Sequence, residues 1–174
     1  MALHVVFLPD TGHVAGAVAT TGGAVPADAA ALVGDALPLR VPTAGGPVTV
    51  AVPARELSPL LADDEPRVFT DPLAFGVEQV ADADPKPGLV RLADWTEGVR
   101  LDPTGLVVTV PVAAGPATPV FALVAGAQDT HVLAGEIAAG QDSVTLPLTV
   151  PAGEYGALVL VTGWVGRLVA VTAP

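Results

Sequence analysis

Apolar and polar residues alternate along much of the chain, and Pro and Gly punctuate the alternation. Val144, Leu146, Leu148 and Val150 alternate with Thr145, Pro147 and Thr149; Val48, Val50 and Val52 alternate with Thr49 and Ala51. A period of two puts successive side chains on opposite faces of a strand. On this pattern strands are expected near 36–41, 47–53, 67–70, 73–80 and 88–93. Six more follow at 105–112, 118–125, 130–137, 143–150, 156–162 and 165–172. Residues 3–8 and 13–19 form a hairpin around the turn tetrapeptide Pro9-Asp10-Thr11-Gly12. Its simplest register places Val5, Phe7, Val14, Gly16 and Val18 on a core face. His4, Val6, Leu8, His13, Ala15 and Ala17 then lie on the other. Two stretches read as short helices: Pro26 to Val33, ended by Gly34, and Ala54 to Ala62, which Pro59 would bend or split.

The last hairpin, Ala157 to Val171, departs from the alternation. It carries one charge, Arg167. With Gly163-Trp164 as a two-residue loop of the Gly-first kind, Leu158, Leu160, Thr162, Val165, Arg167 and Val169 share one face. Ala157, Val159, Val161, Gly166, Leu168 and Ala170 share the other. Both faces are mostly apolar, so the hairpin lies deep in a sandwich or has one face covered by another chain. Arg167 marks the first face as the outer one. Leu158, Leu160, Arg167 and Val169, with Trp164 at the tip, are therefore the candidate interface. Trp95, flanked by charge in Asp94-Trp95-Thr96-Glu97, is a further contact candidate. Arg167→Glu or Trp164→Ala should weaken such an interface and leave the fold intact.

Many short strands with turns between them predict a mostly β protein. The expected architecture is an antiparallel β-sandwich, immunoglobulin-like or jelly-roll-like, with one or two short helices in the N-terminal half. Pro111 and Pro147 cannot donate to a ladder and belong at edges or bulges. Asp63-Asp64-Glu65-Pro66 reads as a solvated loop, and Ala81 to Gly88 is the most linker-like segment. The expected organisation is an N-terminal β-rich region over 1–84, a linker or long loop with a short strand over 85–102, and a C-terminal sandwich over 103–174. One continuous domain is the alternative.

Composition narrows the function classes. Of 174 residues, 51% are hydrophobic and only 14% charged, which excludes a disordered chain. The net charge is −11, with seven scattered cationic residues. Nucleic-acid binding needs clustered Lys and Arg, so it is not expected. There is no Cys, which excludes disulfides and thiolate metal sites, and no Asn, which excludes N-glycosylation. A single Ile and Arg in excess of Lys suit a GC-rich coding genome, that of a high-GC bacterium or its phage. The uncharged run Pro103 to Gln128 is interrupted by Pro111, Pro116 and Pro119 and alternates like strands, so no membrane helix is expected. The N-terminus lacks the basic and long apolar regions of a signal peptide, which predicts cytoplasmic synthesis.

Candidate chemistry is sparse. His4 and His13 stand roughly 13 Å apart along their hairpin at ~3.3 Å per residue, too far to share a metal ion. Asp63-Asp64-Glu65 and the pair Asp82 and Asp84 offer hard oxygens for calcium, with the second pair the better candidate, but neither matches a calcium-loop spacing. Ser58 and Ser143 are the only serines, and neither sits in a nucleophile elbow. No phosphate-binding or dinucleotide fingerprint occurs. The expectation is therefore a protein that is not an enzyme, with no cofactor and no metal. Two classes follow. One is a structural or assembly protein: a β-rich subunit of a homo- or hetero-oligomeric particle, such as a phage virion or a related contractile particle, with protein subunits as partners. The other is a carbohydrate- or peptide-binding module with a groove rimmed by Trp95, Tyr155 or Trp164.

Overall fold

The computed structural model describes residues 2–21, 26, 28–78 and 84–174. The protein is mostly β, 55% strand and 9% helix, in several antiparallel sheets. In chain order the first elements are β1 (Ala2–Phe7), β2 (Val14–Thr20), α1 (Ala30–Val33), β3 (Ala36–Thr43), β4 (Gly46–Pro53) and β5 (Ser58–Ala62). Next come β6 (Phe75–Val77), β7 (Leu89–Arg91), β8 (Val99–Asp102), β9 (Gly105–Thr109) and β10 (Thr118–Ala125). The chain closes with β11 (Thr130–Ile137), β12 (Ser143–Pro147), β13 (Gly153–Val161) and β14 (Arg167–Ala173).

These elements fall into two compact units whose sequence ranges interleave. One comprises Met1–Leu37, Val52–Asp94 and Gly163–Val165; the other Pro38–Ala51, Trp95–Thr162 and Gly166–Pro174. The crossing at Asp94 and Trp95 falls inside the expected linker segment. The β3–β4 residues and the tip of the last hairpin cross it in the opposite sense.

In the first unit, β1 is the centre of a three-stranded sheet in the order β2-β1-β5. Leu3, Val5, Phe7 and Val14 point into a core shared with Ala62, Val68, Ala74, Phe75 and Val77. The turn forms as its residues predict, with Gly12 N–H donating to Leu8 O at 2.7 Å. The register beyond it differs from the expected one. Phe7 pairs with Val14, but Val6 pairs with Gly16, which leaves Ala15 as a bulge. One extra residue reverses every later side chain. Gly16 and Val18 therefore join the His4 and Val6 face, and Ala17 packs against the core.

Three other local expectations are corrected. The helix expected over 54–62 is a single 3-10 turn, Ala54–Glu56, followed by strand β5. Pairing of Leu60 and Leu61 with β1 outweighs their helix propensity, and Pro59 is tolerated because β5 is an edge strand. The strands expected at 67–70 and the start of 73–80 are 3-10 turns, Pro66–Phe69 and Pro72–Ala74, each opened by a proline. The helix expected from Pro26 shortens to α1; Ala27 lies outside the described residues.

The second unit holds a four-stranded sheet, β11-β10-β13-β14, and a three-stranded sheet, β12-β9-β8. Leu146 of β12 lies on Gly135 of β11, so closely that a Cβ there would stand 2.6 Å from Leu146 Cδ2. On the opposite face of the larger sheet, Val41 and Val50 of the β3–β4 ribbon reach Gly156 of β13, where a Cβ would stand 3.1 Å from Val50 Cγ2. Strands β10 and β13 are thus enclosed on both sides: Val120 to Ala125 and Ala157 to Val161 are all buried. Leaving either face of β13 bare would expose large apolar area, and each buried Leu is worth about 1.5–3 kcal/mol. Pro147 sits at the end of edge strand β12, where its missing N–H costs no ladder bond. Among the described residues no helix is long and apolar enough to cross a membrane.

Candidate functional site

The residues singled out at the last hairpin end up in three different settings. Strand β14 pairs with β13 in the register Val159–Arg167, Leu158–Leu168 and Ala157–Val169. That is one residue off the pairing a Gly163-Trp164 turn would give. The reason is the tip. Gly163 O accepts from Ala93 N–H at 3.0 Å, Val165 N–H donates to Ala93 O at 2.8 Å, and Trp164 runs parallel to Ala93 as an isolated bridge. A segment bonded this way cannot close a two-residue turn, and the wider loop moves Arg167 and Val169 to the face of Val159 and Ala157. The expected grouping of Leu158, Leu160, Arg167 and Val169 on one outer face is corrected accordingly. Leu158 and Leu160 are fully buried within the chain, whereas Val169 is half-buried.

Arg167 and Trp95 come together. The Arg167 guanidinium lies 5.5 Å from the centroid of the Trp95 ring, and its Nη1 donates to Trp95 O at 2.8 Å. Trp95 is 5% exposed. The pair combines a charge-assisted hydrogen bond with a cation–π contact. Each group is occupied by the other, so the arrangement holds the backbone at Trp95 in place and offers no open aromatic platform. Tyr155 is used in a similar way: its hydroxyl donates to Pro151 O at 2.8 Å, and its ring covers Gly126.

His13, expected on the face opposite the core, is completely buried. What covers it comes from distant sequence: His13 bridges Gly76 and its ring bonds Trp164 O. The His13 Nε2–H donates to Trp164 O at 2.7 Å, and Nδ1 accepts from the Thr11 hydroxyl at 2.9 Å. This network assigns the neutral Nε2–H tautomer. Burial pushes the His13 pKa below its usual 6.5, against the raising effect of backbone hydrogen bonding to Trp164 and Thr11. The only hint in the sequence was a Thr two residues before the His in a tight turn.

His4 lies in the same sheet with a different outcome. Its Nε2 is 3.1 Å from Thr20 Oγ1, and its Nδ1 has no hydrogen-bond partner among the described residues. It lines an apolar pocket of about 160 Å³ with Val6, Gly16, Val18, Leu32 and Leu37. Among the described residues no acid or second base lines that pocket, so none of them pairs with the imidazole for proton transfer there.

The remaining polar groups shape turns. Asp102 Oδ1 accepts from Thr104 Oγ1 at 2.6 Å, Thr104 N–H at 2.8 Å and Gly105 N–H at 3.1 Å. The Thr104 hydroxyl, followed by the two amides, holds its carboxyl below the usual range. Glu154 accepts from Gly45 N–H at 2.8 Å beside a cleft of about 730 Å³ lined by residues of the β3–β4 turn. Among the described residues no three His, Asp or Glu side chains converge as metal ligands. Asp82 of the calcium candidate Asp82/Asp84 lies outside the described residues.

The chain matches no protein-family model, no curated protein and no solved structure.

Proposed function

We propose that the protein is a non-enzymatic structural subunit of a larger homo- or hetero-oligomeric particle, of the kind found in phage virions and related contractile particles. Its second unit is read as an antiparallel β-sandwich, immunoglobulin-like or jelly-roll-like. Leu146 lying on Gly135 and the two-sided burial of β10 and β13 support that architecture. The observation that carries the assembly reading is edge strand β11. It runs eight residues at the open end of its sheet, and Val132 on it is 46% exposed. An eight-residue edge with no Pro or bulge is a surface that stable proteins cover, and a partner subunit is one way to cover it. The use of Arg167, Trp95, His13 and Asp102 to fix backbone agrees with a chain whose polar groups build a scaffold.

Light scattering on the eluting full-length chain tests this. An oligomer whose mass holds or grows between low and high micromolar concentration is expected. A monomer throughout that range, with no mass change on adding proteins from the same particle, would sink the proposal. The alternative, a carbohydrate- or peptide-binding module, draws less support, because Trp95 is capped by Arg167 and the Tyr155 ring covers Gly126.

A further inference from the structure

His4 is 1% exposed, and its Nδ1 is the one buried side-chain nitrogen or oxygen without a hydrogen bond among the described residues. His13, equally buried, has Thr11 Oγ1 on one ring nitrogen and Trp164 O on the other. A buried polar atom left unpaired forfeits its hydration for nothing, so nearly all such atoms find a partner. Nε2 of His4 is held by Thr20 Oγ1 at 3.1 Å. The ring lines the apolar pocket of about 160 Å³, whose other walls are Val6, Val18, Leu32, Val33 and Leu37 with the small residues of β2. Among the described lining residues His4 has the only polar side chain, and Thr20 is not one of them. Nδ1 is therefore the nitrogen left for an occupant. All of these residues belong to the first unit.

We infer that this pocket binds a small neutral molecule, one six-membered ring or a branched chain of similar size, whose single hydroxyl bonds to His4 Nδ1. The inference is independent of the assembly reading. Volume sets the size, since an apolar cavity of about 150 Å³ takes one benzene-sized molecule. Walls of Val and Leu select a hydrocarbon body. Charge is selected against. The described lining holds no Asp, Glu, Lys or Arg, so a carboxylate or an ammonium would leave water without an ionic partner. A carboxylate would also approach a chain of net charge −11.

Thr20 explains why the polar group is a hydroxyl. Its own hydroxyl either donates to Nε2 or accepts from it. Nδ1 is a donor in the first case and an acceptor in the second. A hydroxyl answers both, whereas a carbonyl or an ether answers only the first. Nδ1 is sealed from water, so the occupant reaches it by displacing a wall. The wall that yields is α1, which supplies Leu32 and Val33. It is a single turn, and none of its four residues is buried, so little packing holds it down.

Phenol, toluene and benzoate, titrated separately into the full-length chain and followed by methyl and imidazole-nitrogen NMR, test this. Phenol should saturate below about 10 mM, shift the methyl signals of Val6, Val18, Leu32 and Leu37, and move the His4 Nδ1 resonance. Toluene should bind about tenfold more weakly for want of the hydrogen bond, and benzoate should not saturate. His4→Phe keeps a ring and removes the nitrogen, so phenol and toluene should then bind alike. Val18→Trp fills the pocket from a position 41% exposed on an edge strand. It should abolish binding of both without changing the circular dichroism, which keeps the test decisive if His4→Phe does not fold. Absence of saturation by phenol overturns the inference. Methyl shifts confined to other parts of the chain overturn it, as does benzoate binding as tightly as phenol. Equal binding of phenol and toluene to the wild type overturns it too, because His4 would then take no part.

Discussion

The first and last hairpins look alike in sequence, each an apolar strand, a turn and a second apolar strand containing Gly. They solve the same problem differently. In the first, the turn is tight and the slip lies within the strand, at the Ala15 bulge between Val14 and Gly16. In the last, the strands pair regularly and the slip lies in the loop, where Trp164 bridges Ala93. Both hairpins pair a central strand with an edge strand, β1 with β2 and β13 with β14. β2 is an edge strand with Val18 41% exposed, while β13 is central and both its faces are buried. A one-residue slip changes the face of every side chain beyond it. An edge strand can absorb that within itself, because one face meets water. β14 is an edge strand as well, and the slip of the last hairpin lies in its loop because Gly163 and Val165 are bonded to Ala93 there.

The largest expected effect separates the two hairpins directly. Leu158→Ala removes a fully buried side chain from β13, where neighbours on both faces resist collapse, and should cost about 2–5 kcal/mol. Val18→Ala on β2 should cost no more than about 0.5 kcal/mol. Urea denaturation of both variants checks the pair. Equal losses would mean that the strands are not buried as differently as their environments imply.

Much of this was legible from residue pattern. β10 and β11 occupy the expected ranges, since each is an apolar-rich stretch between turn residues. Val5, Phe7 and Val14 do form core. What escaped depends on interactions distant in sequence. Ser58 to Ala62 is a strand because β1 offers it a ladder, and nothing local says so. β8 was not expected at all; its pairing with β9 is anchored by Asp102 at the turn. The two register slips were half-legible, because a Gly inside a strand, such as Gly16, is a recognised mark of a bulge. For the candidate site, Arg167 and Trp95 were both noticed as unusual, but their partnership spans 72 positions.

A smaller effect bears on why the last hairpin needs a charge at all. Arg167 is half-buried and holds Trp95 O with a charge-assisted bond while lying on its ring. Arg167→Ala removes that bond and the ring contact and should cost about 1–2 kcal/mol. Arg167→Lys should recover part of the loss, since an ammonium can reach the carbonyl but cannot stack as a plane. Thermal denaturation together with Trp fluorescence distinguishes this role from a surface one. If Arg167→Ala shifts neither the midpoint nor the emission, Arg167 is free in solution and again a candidate contact residue.

The smallest effect concerns the histidine that both hairpin tips share. His13 follows the first turn and donates to Trp164 O at the second tip. Its folded pKa is lowered by burial, so between that value and about 6.5 the unfolded chain binds a proton that the folded chain refuses. The sign follows: the stability held by neutral His13 is whole above about pH 6.5 and is lost as pH falls from there through the folded pKa. The slope cannot exceed about 1.4 kcal/mol per pH unit for one group, which bounds the loss between pH 6.5 and pH 5.5. Carboxylates contribute their own slope at lower pH, so the measurement is the difference between wild type and His13→Gln. Gln keeps a donor for the Trp164 carbonyl and does not titrate. The wild-type advantage should shrink between pH 7 and pH 5.5. A constant difference would mean that His13 protonates as easily in the folded protein as in the unfolded chain. The tips would then be open enough for water to solvate the imidazolium, and the contrast between a wet first hairpin and a dry last one would not extend to their turns.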